Sequence, residues 1–236
     1  MERELSLLLA TAASLGLIHA LAGPDHYLPF IALAKANGWP LARTVRVTLL
    51  CGIGHVLGSL LVGGLGIALG WSLGGIEILQ SVRGDLAAWL LIGLGLAYTA
   101  WGIRRAARDR PHRHWHTHED GTVHEHTHTH HTSHAHPHGV AAGRQLTPWL
   151  LFVILVLGPC EALIPLLMVP AARGSWSGVA LVAAVFGVAT LAAMVAAVVA
   201  GSLGLARFDF QPAARHAHAL AGLTVTACGV AIWLGL

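Results

Sequence analysis

The chain has 236 residues, 55% of them hydrophobic and only 11% charged, with a mean hydropathy of +0.66. Soluble domains carry about a quarter charged residues, so this composition excludes one and leaves a polytopic membrane protein with short loops. The formal charge of +3 makes no basic face suited to nucleic acid.

Six apolar segments follow in chain order, at 5–36, 45–70, 86–103, 146–172, 176–204 and 214–236. About 20 apolar residues cross the hydrocarbon core as a helix, and each segment meets or approaches that length. The first is too long for one straight span and contains Gly23-Pro24 and Pro29. A proline inside a helix removes a hydrogen bond and clashes with the preceding turn. A broken helix is therefore expected there, its break facing protein or water rather than lipid. Residues 1–22 also have the length of a signal peptide, and Ala20-Leu21-Ala22 mimics a cleavage site. Glu2-Arg3-Glu4, however, lacks the net positive charge of such leaders, and the stretch is read as the first span.

Cationic residues set the orientation. Lys35, Arg43, Arg46, Arg104, Arg105, Arg108, Arg110, Arg113, Arg144, Arg207 and Arg215 follow spans 1, 3 and 5, whereas only Arg3, Arg83 and Arg173 lie on the opposite side. Both termini are expected outside and the loop between spans 3 and 4 in the cytoplasm, with the bacterial inner membrane as the expected location.

An internal repeat organises the spans. Gly23-Pro24-Asp25-His26-Tyr27-Leu28-Pro29 resembles Gly158-Pro159-Cys160-Glu161-Ala162-Leu163-Ile164-Pro165, 135 residues later. The same offset carries Gly52-Ile53-Gly54-His55 onto Gly187-Val188-Ala189-Thr190, and Gly95-Leu96-Ala97 resembles Gly229-Val230-Ala231 at a nearly equal one. Three spans per half is an odd number, so the halves enter the membrane from opposite faces. The expected fold is an all-α polytopic membrane protein: six transmembrane helices as a 3+3 inverted repeat with broken helices 1 and 4. Residues 1–110 form the first repeat, 111–145 a histidine-rich loop and 146–236 the second repeat. Inverted repeats with broken helices are characteristic of secondary transporters, which bind their cargo where the breaks meet.

Few ionisable groups lie within the spans: His19, Asp25, His26, His55, Cys160 and Glu161. A charge near the bilayer centre costs roughly 2.5–3.5 kcal/mol on insertion scales. One buried histidine is ordinarily a packed, hydrogen-bonded residue; six such groups on two related breaks and a neighbouring span suggest a site. Imidazoles, two carboxylates and a thiol suit a borderline transition metal better than magnesium or calcium, which take mostly oxygen ligands. His19 and His26, seven residues apart, would stand about 10 Å apart along an intact helix, so a shared ion requires the break to bring them together. Glu161 is the counterpart of His26, Cys160 that of Asp25, and Thr190, a weaker oxygen donor, that of His55. Binding to such ligands releases protons, which makes proton counter-flow a chemically reasonable coupling. Span-borne Lys or Arg, which an anion site would want, is expected nowhere near the breaks.

Twelve of the 17 histidines lie between His112 and His138: His112, His114, His116, His118, His124, His126, His128, His130, His131, His134, His136 and His138. The segment has almost no apolar content and is expected to be disordered without metal. Its alternating histidines offer many overlapping weak sites, suited to a cytoplasmic metal collector. Cys51, Cys160 and Cys228 are too few for a disulfide framework. No GxxxxGK[ST] motif is present, so a gradient is the expected energy source, and no enzymatic activity is expected.

His19-Ala-Leu-Ala-Gly-Pro-Asp25-His26, Gly54-His55 and Gly158-Pro-Cys-Glu161 resemble the six-span nickel/cobalt transporter superfamily, closest to UreH-like proteins and the nickel/cobalt efflux branch often labelled sulfite exporter-like. The resemblance covers all six spans and implies His19, Asp25, His26 and His55 as transport-site residues. Nickel uptake permeases place four residues between the first histidine and the aspartate and have eight spans; this chain has five such residues, Ala20 to Pro24, which counts against uptake, and efflux is preferred because the expected collector faces the cytoplasm. The architecture is also similar to membrane thiol–disulfide electron carriers, whose broken helices 1 and 4 each hold a cysteine after proline. Cys160 fits that pattern, but its mate is Asp25, and thiol exchange needs a second sulfur within reach. The expectation is a carrier without a tightly bound cofactor, its partners the lipid bilayer and a transported divalent metal. That metal is Ni2+ or Co2+ first, then Zn2+, Fe2+ or Mn2+; an oligomer is compatible with the sequence.

Overall fold

The computed structural model describes residues 2–69, 73–108, 112–117, 123–128, 141–158, 160, 162–207 and 215–235. Helix α1 (Glu2–Ala22) ends at Gly23-Pro24, a single 3-10 turn covers Pro24–His26, and α2 (Leu28–Asn37) completes the first span. Then come α3 (Leu41–Ala68), α4 (Leu73–Arg108), strands β1 (His112–Thr117) and β2 (Val123–His128), α5 (Ala141–Leu157), α6 (Leu163–Ala172), α7 (Trp176–Ala206) and α8 (Ala217–Trp233). The fold is that of an all-α polytopic membrane protein. Helices α1, α3, α4 and α7 are each long and apolar enough to cross a membrane; α5 with α6, and α8, are shorter apolar pieces. Leu7, Ile18, Leu50, Leu57, Leu61, Leu65, Ile78, Trp89, Leu96 and Val188 all face outward. Such an apolar exterior fits lipid rather than water.

Two expectations are corrected here. Helix α4 starts at Leu73, not near residue 86, and its 36 residues extend about 54 Å at 1.5 Å per residue. Glu77, Arg83 and Asp85 depress the hydropathy of its first third but do not break the helix, since none is a poor helix former of the Gly or Pro kind. The histidine-rich loop is not irregular throughout: β1 and β2 pair antiparallel, with His112 opposite His128, His114 opposite His126 and His116 opposite His124. Alternation of His with Arg, Trp, Glu and Thr fits the period of two of an extended strand, a signal that low apolar content obscured. His118, His130, His131, His134, His136 and His138 lie outside the described residues.

The two halves interlock as an inverted repeat. Helix α1 packs along α7 as α5 packs along α3, while α3 crosses α7 and α4 crosses α8. Gly52 lies against Leu191 and Gly187 against Val56, two contacts exchanged by the 135-residue offset. The crossing of α4 and α8 has the same reciprocity. Gly95 meets Thr226 while Gly222 meets Thr99, and Gly102 meets Ala219 while Gly229 meets Ile92. Residue numbers rise along one helix as they fall along the other, so equivalent helices run antiparallel. The offset here is 127, which makes Gly222, not Gly229, the mate of Gly95; the second half is eight residues shorter between its second and third spans. Glycines let these backbones approach so closely that a Cβ at Gly222 would stand 2.5 Å from Thr99 N.

Candidate metal centre at the first helix break

Helix α1 ends because Pro24 returns no N–H to the Ala20 carbonyl; its last turn closes with Gly23 N donating to His19 O at 3.1 Å. The 3-10 turn then folds the chain back, so that the rings of His19 and His26 stand 4.7 Å apart, centre to centre, at 69°. His55, on α3, completes a triangle at 5.0 Å from His26 and 5.7 Å from His19. Each ring offers one nitrogen such that all three lie within 4.8 Å of one another. His26 and His55 are buried, at 3% and 1% exposure.

The hydrogen bonds fix which nitrogens are free. His55 Nδ1 lies 2.9 Å from Leu155 O and His26 Nδ1 lies 3.1 Å from Gly23 O. A carbonyl only accepts, so both Nδ1 atoms carry hydrogen, and in the neutral rings both Nε2 atoms keep a lone pair. Among the described residues His26 Nε2 is buried with no partner. His55 Nε2 lies 3.4 Å from His19 Nε2, an arrangement that places a single hydrogen between them. The His19 hydrogen thus faces the lone pair of His55, and the bare His26 Nε2 belongs to the third ring of the same cluster. Carbonyl acceptors on the distal nitrogens are the usual outer shell of metal-binding histidines.

Asp25 stands beside the His26 ring. Its Oδ1 is 3.5 Å from His26 Nδ1, and it is not one of the convergent ligand atoms. Gly23 is required by space: a Cβ there would overlap the His26 ring and stand 2.9 Å from Asp25 Oδ1. Cys160, fully buried, packs among Ala12, Leu163 and Phe186 in a cluster apart from the one holding Cys51 and Cys228. None of the three cysteines is in a disulfide among the described residues. Thr190, also fully buried, donates to Gly16 O at 3.4 Å rather than joining the imidazoles. Glu161 lies outside the described residues.

The two breaks meet. Asp25 and Gly158 line one small cavity with Phe30, Leu91, Leu151 and Ile232, and a Cβ on Gly158 would be 3.5 Å from His55 Nδ1. The expectation of no cation near the breaks is corrected by Arg83. From α4 its Nη2 donates to Val156 O at 2.7 Å and its Nη1 to Gln80 Oε1 at 2.8 Å. Reading Arg83 as a loop residue hid this; the signal was Gln80 and Arg83 three apart, on one face of a continuing helix.

Fold and site together define a polytopic α-helical membrane protein, an inverted repeat whose broken helices meet beside a buried imidazole cluster. Residues 28–231 match the family described as the transmembrane region of cytochrome c biogenesis proteins, and the chain belongs to that family. The match does not name the nickel/cobalt transporter superfamily, and it begins two residues after His26. No curated protein and no solved structure matched the chain.

Proposed function

We propose that this protein is a secondary transporter of divalent transition-metal cations, nickel or cobalt first, working as an efflux carrier in the bacterial inner membrane. The observation that carries the reading is the convergence of His19, His26 and His55 nitrogens within 4.8 Å, with two of the rings anchored through Nδ1–H to carbonyls. Neutral imidazoles select borderline metals over magnesium and calcium. Closing on an ion needs metal–nitrogen distances of about 2.0–2.1 Å, so the rings contract around the cargo and neutral His19 shifts its hydrogen from Nε2 to Nδ1 to present a lone pair. Any imidazole of the cluster that is protonated before metal arrives loses that proton on binding, and such a release couples to a proton gradient. The excess of cationic residues after spans 1, 3 and 5 supports a cytoplasmic side for the histidine hairpin, where in this reading it collects metal for export. Asp25 disfavours an anion at the first break, and Arg83 is committed to Val156 and Gln80.

The test is cellular metal content across a panel of metals, with and without the protein, alongside His26→Ala and a deletion of residues 111–138. Lower nickel or cobalt on expression, abolished by His26→Ala, supports efflux; higher content means uptake. Unchanged metal together with sulfite resistance would move the protein to the anion class. Family membership favours a second reading, thiol–disulfide electron transfer through Cys160. Loss of periplasmic disulfide reduction in Cys160→Ser, with metal content unaffected, would establish that reading instead.

A further inference from the structure

Helix α5 ends at Leu157, and Pro159 has no N–H to return to the Leu155 carbonyl. Two side chains from other helices claim consecutive carbonyls at this end. His55 Nδ1 takes Leu155 O at 2.9 Å, and Arg83 Nη2 takes Val156 O at 2.7 Å. The Leu155 carbonyl also accepts from Gly158 N at 3.1 Å. Arg83 is itself held from behind, its Nη1 donating to the Oε1 of Gln80, a fully buried residue. Gly58 on α3 leaves the passage open, since a Cβ there would stand 2.8 Å from Val156 O and 3.4 Å from Arg83 Nη2. A charged donor in an apolar setting makes a short, directional bond. Pinning the Val156 carbonyl restricts the peptide beside it, and that peptide carries the acceptor for His55.

We propose that Arg83, oriented by Gln80, is a positioning residue for the imidazole cluster: by closing the end of α5 at Val156 it keeps the Leu155 carbonyl where it holds His55 Nδ1–H, leaving His55 Nε2 bare towards His19 and His26. The proposal rests on the cation reading for its consequence, but its geometric core, the tautomer of His55, is measurable without metal.

The experiment uses full-length protein in lipid nanodiscs. Nitrogen-15 NMR of labelled histidines reports the His55 tautomer without metal, and calorimetry with nickel alone reports affinity. In Arg83→Gln the single Nδ1–H form of His55 becomes a mixture, and nickel affinity falls about 10- to 100-fold, as for other outer-shell partners. Arg83→Lys, which keeps a charged donor for Val156, recovers most of both. Gln80→Met leaves the charge but frees the fork; it gives the same changes at smaller size and decides the matter where Arg83→Gln does not fold. A folded Arg83→Gln or Gln80→Met protein with unchanged His55 tautomer and unchanged nickel affinity overturns the proposal, even with lowered thermal stability. A tautomer change in a protein whose wild type binds no nickel keeps the positioning role and removes the cation reading.

Discussion

The break after α1 and the break after α5 both follow a Gly-Pro pair, yet they serve different ends. At the first, the turn Pro24–His26 brings His26 beside His19 and answers the Gly23 carbonyl with the His26 ring. At the second, none of the described residues joins the imidazole cluster; the carbonyls of Leu155 and Val156 at the end of α5 accept from His55 and Arg83. One half supplies the three imidazoles and the other supplies the acceptor that orients one of them. An inverted repeat does not have to duplicate its chemistry. It duplicates a backbone device, a helix end whose proline withholds the next helical N–H at protein depth, and each copy is free to use the carbonyls there differently.

The same substitution at the two equivalent glycines breaks or sharpens this contrast. Gly23 has φ −85°, which alanine adopts freely, so the cost of Gly23→Ala is steric: its Cβ would overlap the His26 ring. The ring must leave the cluster. Nickel affinity is expected to fall on the order of 100-fold, the upper end of effects seen when a metal's surroundings are disturbed, by calorimetry in nanodiscs. Gly158→Ala is milder, because its Cβ would stand 3.2 Å from Leu155 O and 3.5 Å from His55 Nδ1, contacts that a small shift relieves. Its expected loss is less than about tenfold. Equal losses at both glycines would mean that both breaks present ligands.

Much of this was legible in the residues. Gly23-Pro24 and Gly158-Pro159 announce helix breaks through the chemistry of proline alone, and Pro24 accounts for the meeting of His19 and His26 across seven residues. Arg83 was not legible, because a window rich in charge reads as a loop, whereas the helix continues through Glu77, Arg83 and Asp85. Nor was the role of Asp25, since a carboxylate beside a histidine reads equally as ligand or as outer-shell support until the Nδ1 partner is known. The strand register of His112–His128 depends on hydrogen bonds between segments, which local pattern does not specify. The offset of 127 between α4 and α8 likewise emerged only from reciprocal glycine contacts, because Gly-x-Ala recurs too often in apolar helices to set a register.

The smallest effect tests the contrast at Thr190, the residue related to His55 by the repeat. Both reach a carbonyl on the broken helix of the opposite half, Thr190 on α1 and His55 on α5. The hydroxyl contact is 3.4 Å long, near the outer limit for a hydrogen bond, and Gly16 O sits within a continuous helix that already supplies a donor. Replacing the hydroxyl by a methyl in Thr190→Val therefore removes a weak bond at nearly constant volume. The expected loss of stability is below about 1 kcal/mol, read from unfolding in detergent micelles, and nickel affinity stays within about twofold because no ring depends on Thr190 for its orientation. Thr190→Ser, which keeps the donor, should match wild type in affinity. A tenfold loss in Thr190→Val that Thr190→Ser restores would place an oxygen ligand in the second half, and the division of labour between the two breaks would have to be redrawn.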